Sequence, residues 1–174
     1  MERKELRCWA EIDLDAMKNN FLLAKKRLSP DMKAAAVIKA DAYGHGAVKA
    51  AKLLENDADY FAVATADEAS ELRLAGIKNP ILILGHVLPD DFEKMIMRNV
   101  TLSVSDIEEA KLLSSVCEKL GKTAKIHIAL DTGMGRIGFV CNEKSVEEIV
   151  AVSNLEGIEI TGIFSHFAKA DCTD

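Results

Sequence analysis

The chain has 174 residues, 49% of them hydrophobic and 29% charged, a balance that excludes a disordered or membrane-embedded chain and suffices for one packed domain. Its formal net charge of -6 and the lack of any Lys/Arg tract disfavour nucleic acid as a partner. Met1-Glu2-Arg3-Lys4-Glu5 begins no secretory signal, and no apolar run reaches spanning length, so a cytoplasmic, non-membrane protein is expected.

In chain order, the first element is a helix. Met17, Phe21, Ala24 and Leu28 recur at helical spacing after Asp13, and Ser29-Pro30 ends the pattern. Six short apolar, β-branched runs follow: 34–39, 60–64, 80–85, 100–104, 124–130 and 158–165. Their starts are 20 to 34 residues apart, room for a helix and two turns in each interval. That is the rhythm of repeated βα units around a parallel sheet, hence an α/β fold. Thr65-x-x-Glu68, Ser105-x-x-Glu108 and Ser145-x-x-Glu148 read as capping boxes for the intervening helices, and Gly76 and Gly121 sit where helices end. No linker or low-complexity segment divides the chain, so residues 1–174 are read as one domain.

Strand ends in parallel α/β folds carry the chemistry. Lys39 closes the first strand before Ala40-Asp41-Ala42-Tyr43-Gly44-His45-Gly46. It reads either as a solvated strand end or as a Schiff-base lysine, with Tyr43 offering a hydroxyl to a phosphate. Gly133-x-Gly135-x-x-Gly138 matches a dinucleotide fingerprint in spacing but does not open a helix directly, so a flexible loop presenting Arg136 to an anion is preferred. His166 closes the sixth strand, where a hydrogen-bonded structural histidine competes with a functional one; His45, His86 and His127 have weaker claims. Cys8, Cys117, Cys141 and Cys172 are widely spaced and read as buried reduced thiols, with no metal site. G-x-S-x-G is absent, which removes the simplest hydrolase reading. The acidic pair Asp90-Asp91 is assigned to a helix start.

Trp9-Ala-Glu-Ile-Asp-Leu-Asp15, Val37-Ile-Lys-Ala-Asp-Ala-Tyr-Gly-His-Gly46, Asp131-Thr-Gly-Met-Gly-Arg-Ile-Gly138 and Ser165-His-Phe-Ala-Lys-Ala-Asp171 together resemble the alanine racemase family, in order and spacing, along essentially the whole chain. The resemblance implies a (β/α)8 TIM-type barrel, incomplete here at about six βα units plus the N-terminal helix. The family's C-terminal β domain would be absent from residues 1–174. It implies an isomerase, a homodimer as the full-length parent, that interconverts L- and D-alanine with pyridoxal 5'-phosphate and supplies D-alanine for peptidoglycan. Lys39 would hold the cofactor covalently and act as one of two bases, and Tyr43 would contact its phosphate. Arg136 would bond its phenolic oxygen or the substrate carboxylate. His166 would orient a later arginine, and Asp171 would line the substrate entry. The family's second base is a tyrosine of the partner's C-terminal domain, whereas the tyrosines here are Tyr43 and Tyr60. Ala129 stands where many members carry a lysine that braces the arginine. Alternatives of substrate or role are a racemase of another small amino acid, such as serine, and a non-catalytic pyridoxal-phosphate-binding barrel.

Overall fold

In the computed structural model, which describes residues 8–172, the six expected strands form a continuous parallel array joined by helices. The start Met1-Glu2-Arg3-Lys4-Glu5 lies outside the described residues. Helix α1 (Leu14–Lys25) begins at Asp13, whose carboxylate accepts the Ala16 N–H at 2.9 Å. None of its residues is fully buried, but Met17 and Phe21 pack against the core. Strand β1 (Ala35–Val37) then leads into a single turn, α2 (Lys39–Gly44), and helix α3 (Ala47–Leu54). Next come β2 (Tyr60–Val63), α4 (Ala66–Leu74), β3 (Ile81–Ile83), α5 (Pro89–Met97), β4 (Leu102–Val104) and α6 (Ile107–Leu120). The chain continues through β5 (Ala124–Asp131), a two-residue β6 (Phe139–Val140), α7 (Glu143–Ser153) and β7 (Ile158–Ser165).

The neighbours run β1-β2-β3 and β4-β5-β7, with β6 paired to the end of β5. A parallel bridge between Leu82 and Thr101 joins the two groups, tied by Ile83 N–H to Thr101 O (3.0 Å) and Thr101 N–H to Ile81 O (2.8 Å). Alternation along each strand divides the side chains. Ala36, Phe61 and Ile81 stand in one register row, as do Leu102 with Ile126 and Val104 with Ile128, and all are buried in the core. Each large member of those rows contributes about 1.5–3 kcal/mol by leaving water. The other face carries Val37, Ala62 and Leu82, then Ser103, His127 and Gly162. This second face is concave. The rings of Tyr60 on β2 and His127 on β5 meet at 6.1 Å although two strands separate them, which requires a rolled sheet.

Packing on the concave side forces one glycine. A Cβ at Gly162 would lie 2.7 Å from His127 Nε2. The register shifts at this level, and the Thr161 hydroxyl donates to Ile126 O at 3.2 Å. Among the described residues β1 and β7 are each paired on one side only, and Ile163 of β7 is 60% exposed.

Three local expectations change. Thr65 and Glu68 do form a capping box, but the cap of α6 is Asp106, whose carboxylate accepts Glu109 N–H (2.8 Å). Glu109 in turn accepts the Ser105 N–H and hydroxyl, so the motif sits one residue later than Ser105-x-x-Glu108. Helix α7 is capped by Asn142, which accepts Ser145 N–H at 2.9 Å and leaves Ser145 inside the helix. An Asn or Asp nearer the true start displaced the serine in both places. Of the four cysteines only Cys117 is buried, because Cys141 follows β6 on the surface and Cys8 and Cys172 lie near the limits of the described segment. No described helix is long and apolar enough to cross a membrane.

Candidate functional site

The site begins with backbone conformation. After β1, Ile38 N–H still bonds Ala62 O at 2.9 Å, and then Ala40, Asp41, Ala42 and Tyr43 adopt φ of 51°, 53°, 52° and 56°. Segment α2 is thus a turn of left-handed helix made by four non-glycine residues, where each costs about 1–2 kcal/mol. The strain persists because the surroundings fix it. Ala42 N–H bonds Ile38 O (3.0 Å) and Gly46 N–H bonds Asp41 O (2.9 Å). The Asp41 carboxylate accepts Ala47 N–H at 2.7 Å. His45 Nδ1 lies 2.8 Å from Ala42 O and 3.1 Å from Tyr43 O; a carbonyl can only accept, so this nitrogen carries the proton. Glu68, across on α4, accepts the Ala40 N–H at 2.7 Å.

The second segment is the loop after β5. The Asp131 carboxylate accepts N–H groups of Gly135 and Gly133, both at 3.0 Å, and these bonds hold it below the usual carboxylate range. At Gly138 (φ 124°) a Cβ would come within 2.6 Å of Asp131 N, so glycine lets the loop return along β5 and form β6. Arg136 rides on this loop. His166 follows β7 directly.

These segments surround a cavity of about 360 Å³ at the C-terminal end of the rolled sheet. Lys39, Tyr43, Arg136 and His166 all line it, with an apolar wall that includes Val37, Leu82 and Phe164. Ala129 lies in the wall where it adds no charge beside Arg136. Asp171 is exposed and does not line the cavity. Among the described residues no Asp or Glu lines it, and no ion pair engages Lys39 or Arg136. The donor set is therefore an amine, a guanidinium, an imidazole, a phenol and the Ser165 hydroxyl around an apolar wall, which suits a flat anionic ligand.

Two further features were not foreseen. Glu68 was visible as a helix cap, but its reach to Ala40 depends on the packing of α4 beside α2. Glu109 is buried, and burial pushes its carboxyl upward; its second oxygen lies 3.0 Å from His86 Nδ1, an interaction outside the cavity lining. Among the described residues no three His, Cys, Asp or Glu groups could share a metal ion.

With this geometry in place, residues 12–174 match the family model described as alanine racemase, N-terminal domain. Alanine racemase of Methanococcus maripaludis is 49% identical over 167 residues, covering 95% of this chain and 45% of its own length. A Clostridium difficile alanine racemase solved in complex with cycloserine is 46% identical at TM-score 0.94, covering 97% of this chain and 47% of that one. A histidine racemase from Leuconostoc mesenteroides is 33% identical at TM-score 0.85, covering 92% and 43%. The chain spans less than half the length of each of these proteins.

Proposed function

The chain belongs to the alanine racemase N-terminal domain family, and on that premise we propose that it is the cofactor-bearing barrel half of a cytoplasmic enzyme that interconverts L- and D-alanine for peptidoglycan. The observation that carries the proposal is Lys39 on the wall of a cavity that also holds four other polar donors, Tyr43, Arg136, Ser165 and His166, and no carboxylate. Pyridoxal 5'-phosphate fits that set: it needs a lysine for covalent attachment, a hydroxyl for its phosphate and an apolar surface for its ring. Lys39 would hold it, Tyr43 would donate to the phosphate, and Arg136 would bond its phenolic oxygen or the substrate carboxylate. His166 would orient an arginine from a later segment, and Asp171 would stand at the substrate entry.

When bound, the cofactor supplies an electron sink for the pair left on the substrate Cα. The protein's own part is to move protons. Once the substrate amine takes its place on the cofactor, the freed Lys39 Nζ would take the Cα proton on one face or return it there. The opposite face requires a second base. Tyr60 is engaged against His127 on the concave wall, below the cavity lining. As the family resemblance implies, the second base would be a tyrosine of a partner subunit's C-terminal domain in a homodimeric parent protein, and the 174-residue chain alone is expected not to racemise alanine.

The histidine racemase comparison supports a second reading of the substrate. A barrel half 33% identical to this one occurs in a protein named for another amino acid, and a racemase of another small amino acid, such as serine, is the alternative. Non-catalytic cofactor binding would appear as attachment without turnover in the complete enzyme.

The test is to incubate the chain with pyridoxal phosphate, reduce with borohydride and map the modified peptide. Attachment at Lys39, lost in Lys39→Ala, is expected; attachment spread over surface lysines would overturn the assignment. Detectable alanine turnover by the 174-residue chain, abolished by Lys39→Ala, would refute the expectation that the second base lies elsewhere.

A further inference from the structure

We infer that Glu68 is a positioning residue for Lys39, acting through the backbone. Its carboxylate joins two functions that the fold keeps on different elements. One oxygen accepts Ala64 N–H (2.7 Å) and Thr65 N–H (3.3 Å), which completes the cap of α4. The other accepts Ala40 N–H at 2.7 Å, from the residue directly after Lys39. A helix cap needs only the first oxygen. The second bond is spent on the turn that carries the amine.

Its geometric effect follows from the two peptide planes that flank Lys39 Cα. The plane before it belongs to Ile38 and Lys39, and the Ile38 carbonyl is fixed by Ala42 N–H at 3.0 Å. The plane after it belongs to Lys39 and Ala40, and Glu68 fixes its N–H. With both planes anchored, the Cα–Cβ direction of Lys39 is set, and the side chain enters the cavity from one defined origin. Ala40 is also the first of the four left-handed residues. Alanine, aspartate and tyrosine revert readily to right-handed or extended backbone when released, so the entry bond decides whether the turn holds. His45 secures the other end, since its Nδ1 donates to the Ala42 and Tyr43 carbonyls. Glu68 and His45 thus clamp a turn that starts at the amine and ends at the Tyr43 phenol, and neither is required to touch a ligand.

This inference rests on the reading of Lys39 as the cofactor lysine, and its test separates the two. Three variants of the chain are compared: Glu68→Gln, Glu68→Asp and Thr65→Ala. Thr65→Ala removes the hydroxyl half of the cap and leaves the bond to Ala40, so it reports loss of helix stability alone. Glu68→Gln has one accepting oxygen for the two sites, and the shorter Glu68→Asp caps without reaching Ala40, which keeps a readable variant if Gln folds poorly. Borohydride-fixed pyridoxal phosphate at Lys39, relative to that at exposed Lys119, should fall about tenfold in both Glu68 variants, while Thr65→Ala stays within about twofold of the parent chain. Exchange of the Ala40 amide should accelerate about tenfold in the Glu68 variants only. Wild-type fixation in the Glu68 variants, or parallel loss in Thr65→Ala, would overturn the inference. If the parent chain fixes no cofactor at Lys39, the proposed function fails. Ala40 exchange and acetylation of Lys39 relative to Lys119 by acetic anhydride then decide the positioning role by themselves: unchanged values in the Glu68 variants refute it, and shifted values confined to them support it.

Discussion

Replacing Gly162 with alanine is the sharpest available probe of the rolled sheet, because only contact across strands can make it costly. Gly162 lacks a left-handed φ, so its backbone accepts alanine without strain. Its new Cβ, however, would stand 2.7, 2.8 and 2.9 Å from Nε2, Cε1 and Cδ2 of His127. The Tyr60 ring flanks the imidazole on the concave side, centroids 6.1 Å apart, and limits the room into which it could turn. Overpacking of this kind costs about 1–3 kcal/mol, offset by the ~0.5–1 kcal/mol that alanine gains over glycine within a strand. The net loss is centred near 1 kcal/mol, about 0–2.5 kcal/mol across those ranges, or up to roughly 10 °C in Tm for a chain of this size. Urea unfolding at constant m-value gives the free energy directly. The control is a double-mutant cycle: in a His127→Ala background, Gly162→Ala should be neutral or stabilising by up to about 1 kcal/mol. An equal effect of Gly162→Ala in both backgrounds would refute the packing, because the ring would then not be what demands glycine.

Burial also holds the His127 imidazole below its ordinary value of 6.5, so as pH falls below that value the unfolded chain takes up the proton before the folded chain does. Its contribution is therefore complete above that value, declines as pH falls through it, and levels off below the folded pKa. Glu109, raised by burial, has the opposite sign and loses its contribution as pH climbs through its raised value. His127→Asn should flatten the acid-side slope of urea stability, and Glu109→Gln should not. Asn142→Ala should cost about 1 kcal/mol through loss of the α7 cap, whereas Ser145→Ala should change stability by no more than ~0.5 kcal/mol; the reverse order in urea melts would restore the serine cap. The one-sided strands β1 and β7, with Ile163 60% exposed, should drive concentration-dependent association that Ile163→Lys weakens. A stable monomer of the unsubstituted chain in sedimentation would count against this.

Most of the architecture was legible because it rests on local alternation. The run 158–165 coincides with β7, and 60–64 differs from β2 by one residue. What escaped notice depends on tertiary context. Phe139–Val140 is too short to announce a strand and exists because Gly138 lets the loop close on β5. The left-handed turn has no compositional signature, since Ala40, Asp41, Ala42 and Tyr43 are ordinary there only with Glu68 and His45 in place. The sequence brought Lys39, Tyr43, Arg136 and His166 forward from strand ends and loops, and the rolled sheet turns those ends toward one volume. Asp171 came from resemblance alone and sits outside that volume because nothing in the described chain folds it back.

The strand order has one more consequence, for how such a chain emerges from the ribosome. Along the array β1-β2-β3-β4-β5-β7, each strand pairs with partners no more than 35 residues away. Every new βα unit can dock on the one made just before it, so synthesis and folding proceed in the same direction. Only the contacts across the hollow, Tyr60 with His127 and the cavity wall, must wait for late residues. The amine-bearing turn needs nothing later than Glu68, and so is set long before Arg136 and His166 arrive to face it.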